Sequence, residues 1–200
     1  MNNTGEQKNL TDIKLSKKLA YLLRHGAKNF NLSINADGYV PIAEIISIFK
    51  EFSEENIERI VKKDSKKRYS LKIEEGILKI KANQGHSIDT VNQLNLKPID
   101  NPNFSIIHGT YFENWQSIKK QGLSRMKRNH IHFAKDLNTK CGLRQNAQVF
   151  IFINYKKATE DGIKFFESEN GIILSSGNAD GIIEPKYFSK VIAKNGNELF

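Results

Sequence analysis

Residues 88–103, IDTVNQLNLKPIDNPN, cut a chain of 200 residues almost in half. The stretch holds two of the four prolines and no helical periodicity, so it reads as a linker. A chain of this length, interrupted at its middle, builds two small cores more readily than one large one. The expected units are residues 1–95 and 96–200. No internal repeat and no low-complexity tract suggests another division.

Hydrophobic spacing assigns a different architecture to each half. In the first, Leu15, Leu19, Leu22 and Leu23 recur at helical intervals, and Gly26 offers a C-terminal stop. Asp37–Tyr39 reads as a turn. Pro41 opens a second helix with Ile42, Ile45, Ile46 and Phe49 on one face. Ser53 caps a third, with Glu55 and Glu58 near its positive end and Ile57, Ile60 and Val61 turned inward. Arg68–Ile73 and Ile77–Ala82 then alternate apolar and polar residues around a turn at Glu74–Gly76. Three helices followed by a two-stranded wing form a winged-helix pattern.

The second half is richer in strands. Phe104–Ile107, His130–Phe133, Gln148–Asn154, Ile163–Phe166, Gly171–Ser176 and Phe188–Ala193 each read as one, in a mostly antiparallel sheet. One helix is expected over Asn114–Gln121, stopped by Gly122. Twelve phenylalanines, many of them in these strands, supply core volume. The fold class expected for the whole chain is α+β.

Charge narrows the function. The formal net charge is +9, shared as +4 in residues 1–100 and +5 in residues 101–200, so there is no basic tail. A surplus of this size favours polyanionic partners, nucleic acid first among them, although it also serves solubility. A single cysteine, Cys141, excludes an internal disulfide and a cysteine-rich zinc site. No apolar run approaches membrane-spanning length. The first ten residues are polar, without the apolar stretch of a secretory signal. An intracellular, cytoplasmic protein and a monomer are expected.

Four short segments carry the residues of chemical interest: LLRHG (Leu22–Gly26), KKRYSLK (Lys66–Lys72), IIHGT (Ile106–Thr110) and SRMKRNHIHF (Ser124–Phe133). Arginines clustered with histidines, without a carboxylate pair, suit the holding of a phosphate. Each has an ordinary reading too. Arg24 and His25 would complement the dipole at a helix end, worth roughly 0.3–1 kcal/mol each. Arg68 would guard a strand edge. His108 would be a turn histidine. His130 and His132 share one face of a strand, but two ligands without a neighbouring Cys, Asp or Glu are too few for a metal site.

Order and spacing add what single residues do not. The chain resembles the RNA 2′-phosphotransferases of the Tpt1/KptA type from about Leu15 to about Val191. The resemblance is carried by LSKKLAYLLRHG, NADGYVPIAEII (Asn35–Ile46), KKRYSLK, ANQGHS (Ala82–Ser87), IIHGT, RNHIHF and ENGIILSS (Glu169–Ser176). It implies a winged-helix-like N-terminal lobe joined to an ADP-ribosyltransferase-like, β-rich C-terminal lobe. It implies RNA with an internal 2′-phosphate, such as that left at a tRNA splice junction, as substrate, and NAD⁺ as the consumed co-substrate, without a metal. The 2′-phosphate would attack the nicotinamide ribose C1″ and expel nicotinamide, forming RNA-2′-phospho-ADP-ribose. The ribose 2″-hydroxyl would then attack the phosphate. Products would be 2′-hydroxyl RNA and ADP-ribose 1″,2″-cyclic phosphate.

The family's catalytic Arg-His-Arg-Arg tetrad falls on Arg24, His25, Arg68 and Arg128. Its His-His-apolar signature falls on His108, His132 and Ile172, beside Gly109 and Thr110, and marks the NAD⁺ site. His86 in ANQGHS is a further candidate ligand contact. Many relatives read H-x-H-L-S where this chain has His130-Ile-His132-Phe133-Ala134, which removes one hydroxyl from the dinucleotide site. Residues 137–147 read as a surface excursion whose Arg144 meets either phosphate or solvent. Two other functions use parts of the same pattern: a winged-helix DNA-binding regulator with a ligand-sensing second domain, and an ADP-ribosyltransferase acting on a nucleic-acid end or a protein.

Overall fold

A computed structural model describes residues 3–139 and 141–200, with side chains from Thr11 onward. Helices and strands mix in one chain, as an α+β fold requires. The chain falls into two compact units, the first ending at Leu94 and the second starting at Asn95.

The first unit begins with helix α1 (Asn3–Tyr21), which buries Leu15 and Leu19. It does not stop at Gly26. It widens into a π turn over Leu22–Gly26 and tightens into a 3₁₀ turn over Ala27–Phe30. Gly26 keeps a right-handed φ of −98°, and the left-handed stop is Asn31 at φ 52°. The buried Leu22, Leu23 and Ala27 explain the continuation, because each must reach the same core. Strand β1 (Tyr39–Pro41), which the spacing did not suggest, pairs with β3 (Ile77–Ala82), and β3 pairs with β2 (Tyr69–Glu74). Helix α2 spans Ile42–Ile48 and α3 spans Glu54–Lys63. Ser53 and Asn56 form a reciprocal capping box at the start of α3. Leu19, Val40, Ile45, Ile57 and Ile80 meet in the core.

The expected linker is committed to structure at a few points. Ile88 and Val91 lie in the first core, and Lys97–Pro98 (β4) belongs to a sheet of the second unit. Its polar residues hid two buried side chains and one strand pairing.

Among the described residues, the second unit holds three small sheets instead of one, all antiparallel. The first has the order β4-β9-β10-β7, with β7 at Ile131–Phe133, β9 at Phe166–Glu167 and β10 at Ile173–Ser175. The second is β12-β8-β5, with β5 at Ile107–Thr110, β8 at Val149–Ile153 and β12 at Phe188–Ala193. The third pairs β6 (Leu123–Ser124) with β11 (Ile182–Ile183). Ile107 and Ala134 exchange backbone hydrogen bonds of 3.0 and 2.8 Å, which lays β5 beside β7. β5 starts three residues later than expected, so His108 and Gly109 sit inside a strand and not in a turn. Helix α4 runs Phe112–Gln121 and ends at Gly122, whose φ of 86° suits glycine. Helix α5 (Tyr155–Glu160), capped by Asn154, was too short to read from periodicity. Phe133, Val149, Ile151, Ile173 and Val191 centre the core.

Candidate functional site

In the first unit, one segment after β3 holds three of the candidate residues. Gln84 Oε1 accepts from Arg24 Nη2 at 3.1 Å, and Ser87 Oγ lies 2.8 Å from His25 Nδ1. The Ser87 N–H donates to the Arg24 carbonyl at 2.9 Å, and the Asn83 N–H to the Arg68 carbonyl at 2.8 Å. Gly85 lies against the Arg24 guanidinium at φ 90°; a Cβ there would stand 3.2 Å from Arg24 Nε. Adjacent helical residues face different directions. Here the π turn and the 84–87 segment together bring Arg24 and His25 to one set of partners.

Arg68 stands one residue before β2, at the end of a loop that leaves α3. The last α3 contact is Asp64, whose carboxylate takes Arg68 Nε at 3.0 Å and Nη2 at 2.8 Å. Burial pushes the Asp64 carboxyl up, but the Arg68 guanidinium and backbone N–H bonds outweigh it and hold the group below its ordinary value. Asn83 Nδ2 donates to the Lys67 carbonyl at 2.9 Å and so fixes the other side of the loop.

His86 has a different place. It is 1% exposed, and its ring packs where a Cβ on Gly38 would meet it at 3.1 Å. That places it against the turn at Gly38, within its own unit.

In the second unit, β5 and β7 bring His108 beside the His132 backbone. His108 Nδ1 lies 2.9 Å from the His132 carbonyl. A carbonyl only accepts, so Nδ1 carries the proton and Nε2 presents a lone pair. Burial lowers the His108 pKa; the His132 bond opposes this, and Arg144 and Arg128 add to it. Burial therefore favours the neutral ring. His132 pairs with Leu174 in β10, two residues beyond Ile172. Ile172 is buried, and its backbone is locked by Ser168, whose Oγ donates to the Ile172 carbonyl at 3.0 Å. Thr110 is buried at the end of β5.

Gly109 admits a neighbour, but that neighbour is protein. A Cβ there would meet Leu143 Cδ2 at 2.9 Å and Ala147 Cβ at 3.1 Å. The expected surface excursion thus packs partly onto β5, with Ala147 buried. It carries Arg144, whose Nη1 donates to the Tyr111 hydroxyl at 3.3 Å with the guanidinium 5.4 Å from that ring. Arg144 lowers the pKa of both His108 and Arg128, behind burial in each case, so positive charge from Arg144 and Arg128 surrounds the His108 ring.

Arg128 lies in a loop organised by Arg125. The Arg125 N–H donates to the Gly181 carbonyl at 2.9 Å, and its Nη1 donates to the Arg128 carbonyl at 2.8 Å. Burial, then Arg125, lowers the pKa of His130 nearby.

Sequence reasoning picked out Gln84 and Ser87 within ANQGHS without assigning their partners, and it missed Asp64, Arg125 and Tyr111. Asp64 alone left a signal, an opposite charge four residues before Arg68. The others act through contacts between distant segments, which single-sequence spacing does not encode.

Residues 10–177 match the family described as RNA 2′-phosphotransferase, Tpt1 / KptA family. The chain is 44% identical to tRNA 2′-phosphotransferase 1 of Danio rerio over 191 residues, covering 90% of this chain and 84% of that one. It is 40% identical over 193 residues to the protein of the same name from Homo sapiens, covering 90% and 76%. It is 34% identical over 171 residues to a probable RNA 2′-phosphotransferase of Fusobacterium nucleatum, covering 82% and 93%.

Proposed function

We propose a mechanism from the premise that this chain belongs to the RNA 2′-phosphotransferase, Tpt1 / KptA family and is an enzyme of that kind. It removes the 2′-phosphate from RNA, with NAD⁺ as the co-substrate that family membership implies. The first unit is a winged-helix-like lobe and the second an ADP-ribosyltransferase-like lobe. Arg24, His25, Arg68 and Arg128 act on the phosphate. His108, His132 and Ile172 serve the nicotinamide ribose.

The observation that carries the reading is the 83–87 segment, which engages Arg24, His25 and the backbone of Arg68 at once. A phosphomonoester dianion approaching an anionic dinucleotide needs its charge offset in advance, and guanidinium forks do this while orienting oxygens. In the first step a phosphate oxygen bonds to ribose C1″ and nicotinamide leaves. In the second the ribose 2″-hydroxyl attacks phosphorus, its proton is lost, and the RNA 2′-oxygen leaves and is protonated. Charge grows on the phosphoryl oxygens there, where arginines act most. His108, with Nδ1 bonded to the His132 carbonyl, accepts a ribose hydroxyl at Nε2. Arg144 adds charge beside it. His86 serves packing.

The test mixes the full chain with NAD⁺ and an RNA carrying an internal 2′-phosphate. Release of ADP-ribose 1″,2″-cyclic phosphate is expected. A stable RNA adduct would indicate simple ADP-ribosylation instead, and no reaction would refute the reading.

A further inference from the structure

Arg68 is gripped from behind. The Asp64 carboxylate is 3% exposed, whereas the Arg68 side chain is 34% exposed. Asp64 takes the Nε–Nη2 edge of the guanidinium through bonds of 2.8–3.2 Å. The same carboxylate accepts the backbone N–H of Arg68 at 2.6 Å and of Lys66 at 3.4 Å. It is therefore tied to the loop as well as to the side chain and cannot swing out with it. A cavity of about 220 Å³ opens beside the pair, lined in part by Ser16, Lys17 and Ile60.

We propose that Asp64 is a positioning residue for phosphate transfer, holding one edge of the Arg68 guanidinium so that the substrate phosphate is met by the opposite edge. This rests on the proposed role of Arg68 as a phosphate ligand. A long arginine side chain loses rotamer freedom when it binds, and a carboxylate that orients it beforehand removes that cost from the reaction. An anion so close would compete with the substrate if it could reach the same edge, but its burial and its backbone bonds confine it to the inner one.

Asp64→Asn separates positioning from loop architecture, because the amide keeps an acceptor for the Arg68 N–H but loses the charge and the second acceptor. In the full chain, Asp64→Asn should melt within a few degrees of the parent. Its KM for 2′-phosphorylated RNA should rise about tenfold, and RNA-2′-phospho-ADP-ribose should accumulate as it does in Arg68→Lys. The double variant should be no slower than Arg68→Lys alone, since both act through one side chain. Parent-like turnover, a lower KM, or multiplicative losses would overturn the proposal. A second readout does not depend on the reaction. The Arg68 Nε–H signal in ¹⁵N NMR should be slow to exchange in the parent and in Asp64→Glu, and fast in Asp64→Asn. Equal exchange in all three would sink the idea even if the parent proved active. An inactive parent with the expected exchange would instead fault the assigned function and leave the grip intact.

Discussion

At the scale of single residues, the two units ask different things of their side chains. Arg24 and Arg68 are held through their guanidiniums, and Arg128 through its backbone. Replacing any of the three by alanine should lower turnover by about two to four powers of ten, from loss of a charge-assisted contact in a low-dielectric site. Steady-state rates with the melting curve unchanged would check this. Weaker changes should divide the two steps. Arg68→Gln and Arg128→Lys should slow resolution more than attack and accumulate RNA-2′-phospho-ADP-ribose. His108→Ala should slow both steps without accumulation, because ribose placement precedes each. A time course on a gel resolving substrate, adduct and product reads the difference, and the opposite pattern would reverse the roles. His108 also makes a claim about stability. Folding lowers its pKa, so the unfolded chain binds the proton first as the pH falls through about 6.5. Stability from the neutral form is present above that value and is lost toward the lowered one. Thermal melts between pH 7 and 5 should fall less steeply in His108→Gln than in the parent.

At the scale of elements, the sequence was most legible where one period ran long enough. The capping box at Ser53, the hairpin of β2 and β3, and β12 follow from local pattern. Gly26 misled because glycine marks a close approach as readily as an end: a Cβ there would come 2.8 Å from the Tyr21 ring. Asn31, a residue tolerant of left-handed φ, took the stop. Strands of two or three residues, such as β1, β6 and β11, left no period to read. The segment between β3 and the second unit makes its own prediction. Gly85→Ala imposes a left-handed backbone worth about 1–2 kcal/mol and pushes a methyl toward Arg24. Urea denaturation should show that modest loss while turnover falls far more than it. A loss of activity no larger than the loss of stability would make Gly85 a matter of folding alone.

At the scale of the whole molecule, the polar stretch near the middle hid a few residues that are packed or paired. Ile88 and Val91 are isolated apolar residues among polar ones, a pattern shared by linkers and by the edge of a core. The family motifs could be read in order, while the contacts that join them, Gln84 to Arg24 and His108 to His132, depend on folding. The net charge of +9 predicts a salt effect specific to one substrate. Raising salt from 50 to 200 mM should lift the KM for RNA by about tenfold and the KM for NAD⁺ far less, since counterions are released mainly from the polymer. Equal sensitivity would mean the charge serves solubility. With arginines supplying the positive charge, activity should survive dialysis against EDTA; loss restored by Mg²⁺ would refute the metal-free mechanism.

The π turn at Leu22–Gly26 makes chain length itself a design variable. Such a turn closes from i to i+5, one residue more than the α-helix that leads into it. A single-residue deletion there would let the helix run on regularly, improving its hydrogen bonding, and would rotate Arg24 and His25 away from Gln84 and Ser87. A shortened chain of this kind could gain stability and lose its chemistry in the same step. Substitution libraries would never sample that outcome, whereas a scan of one-residue deletions across 20–27 would find it at once.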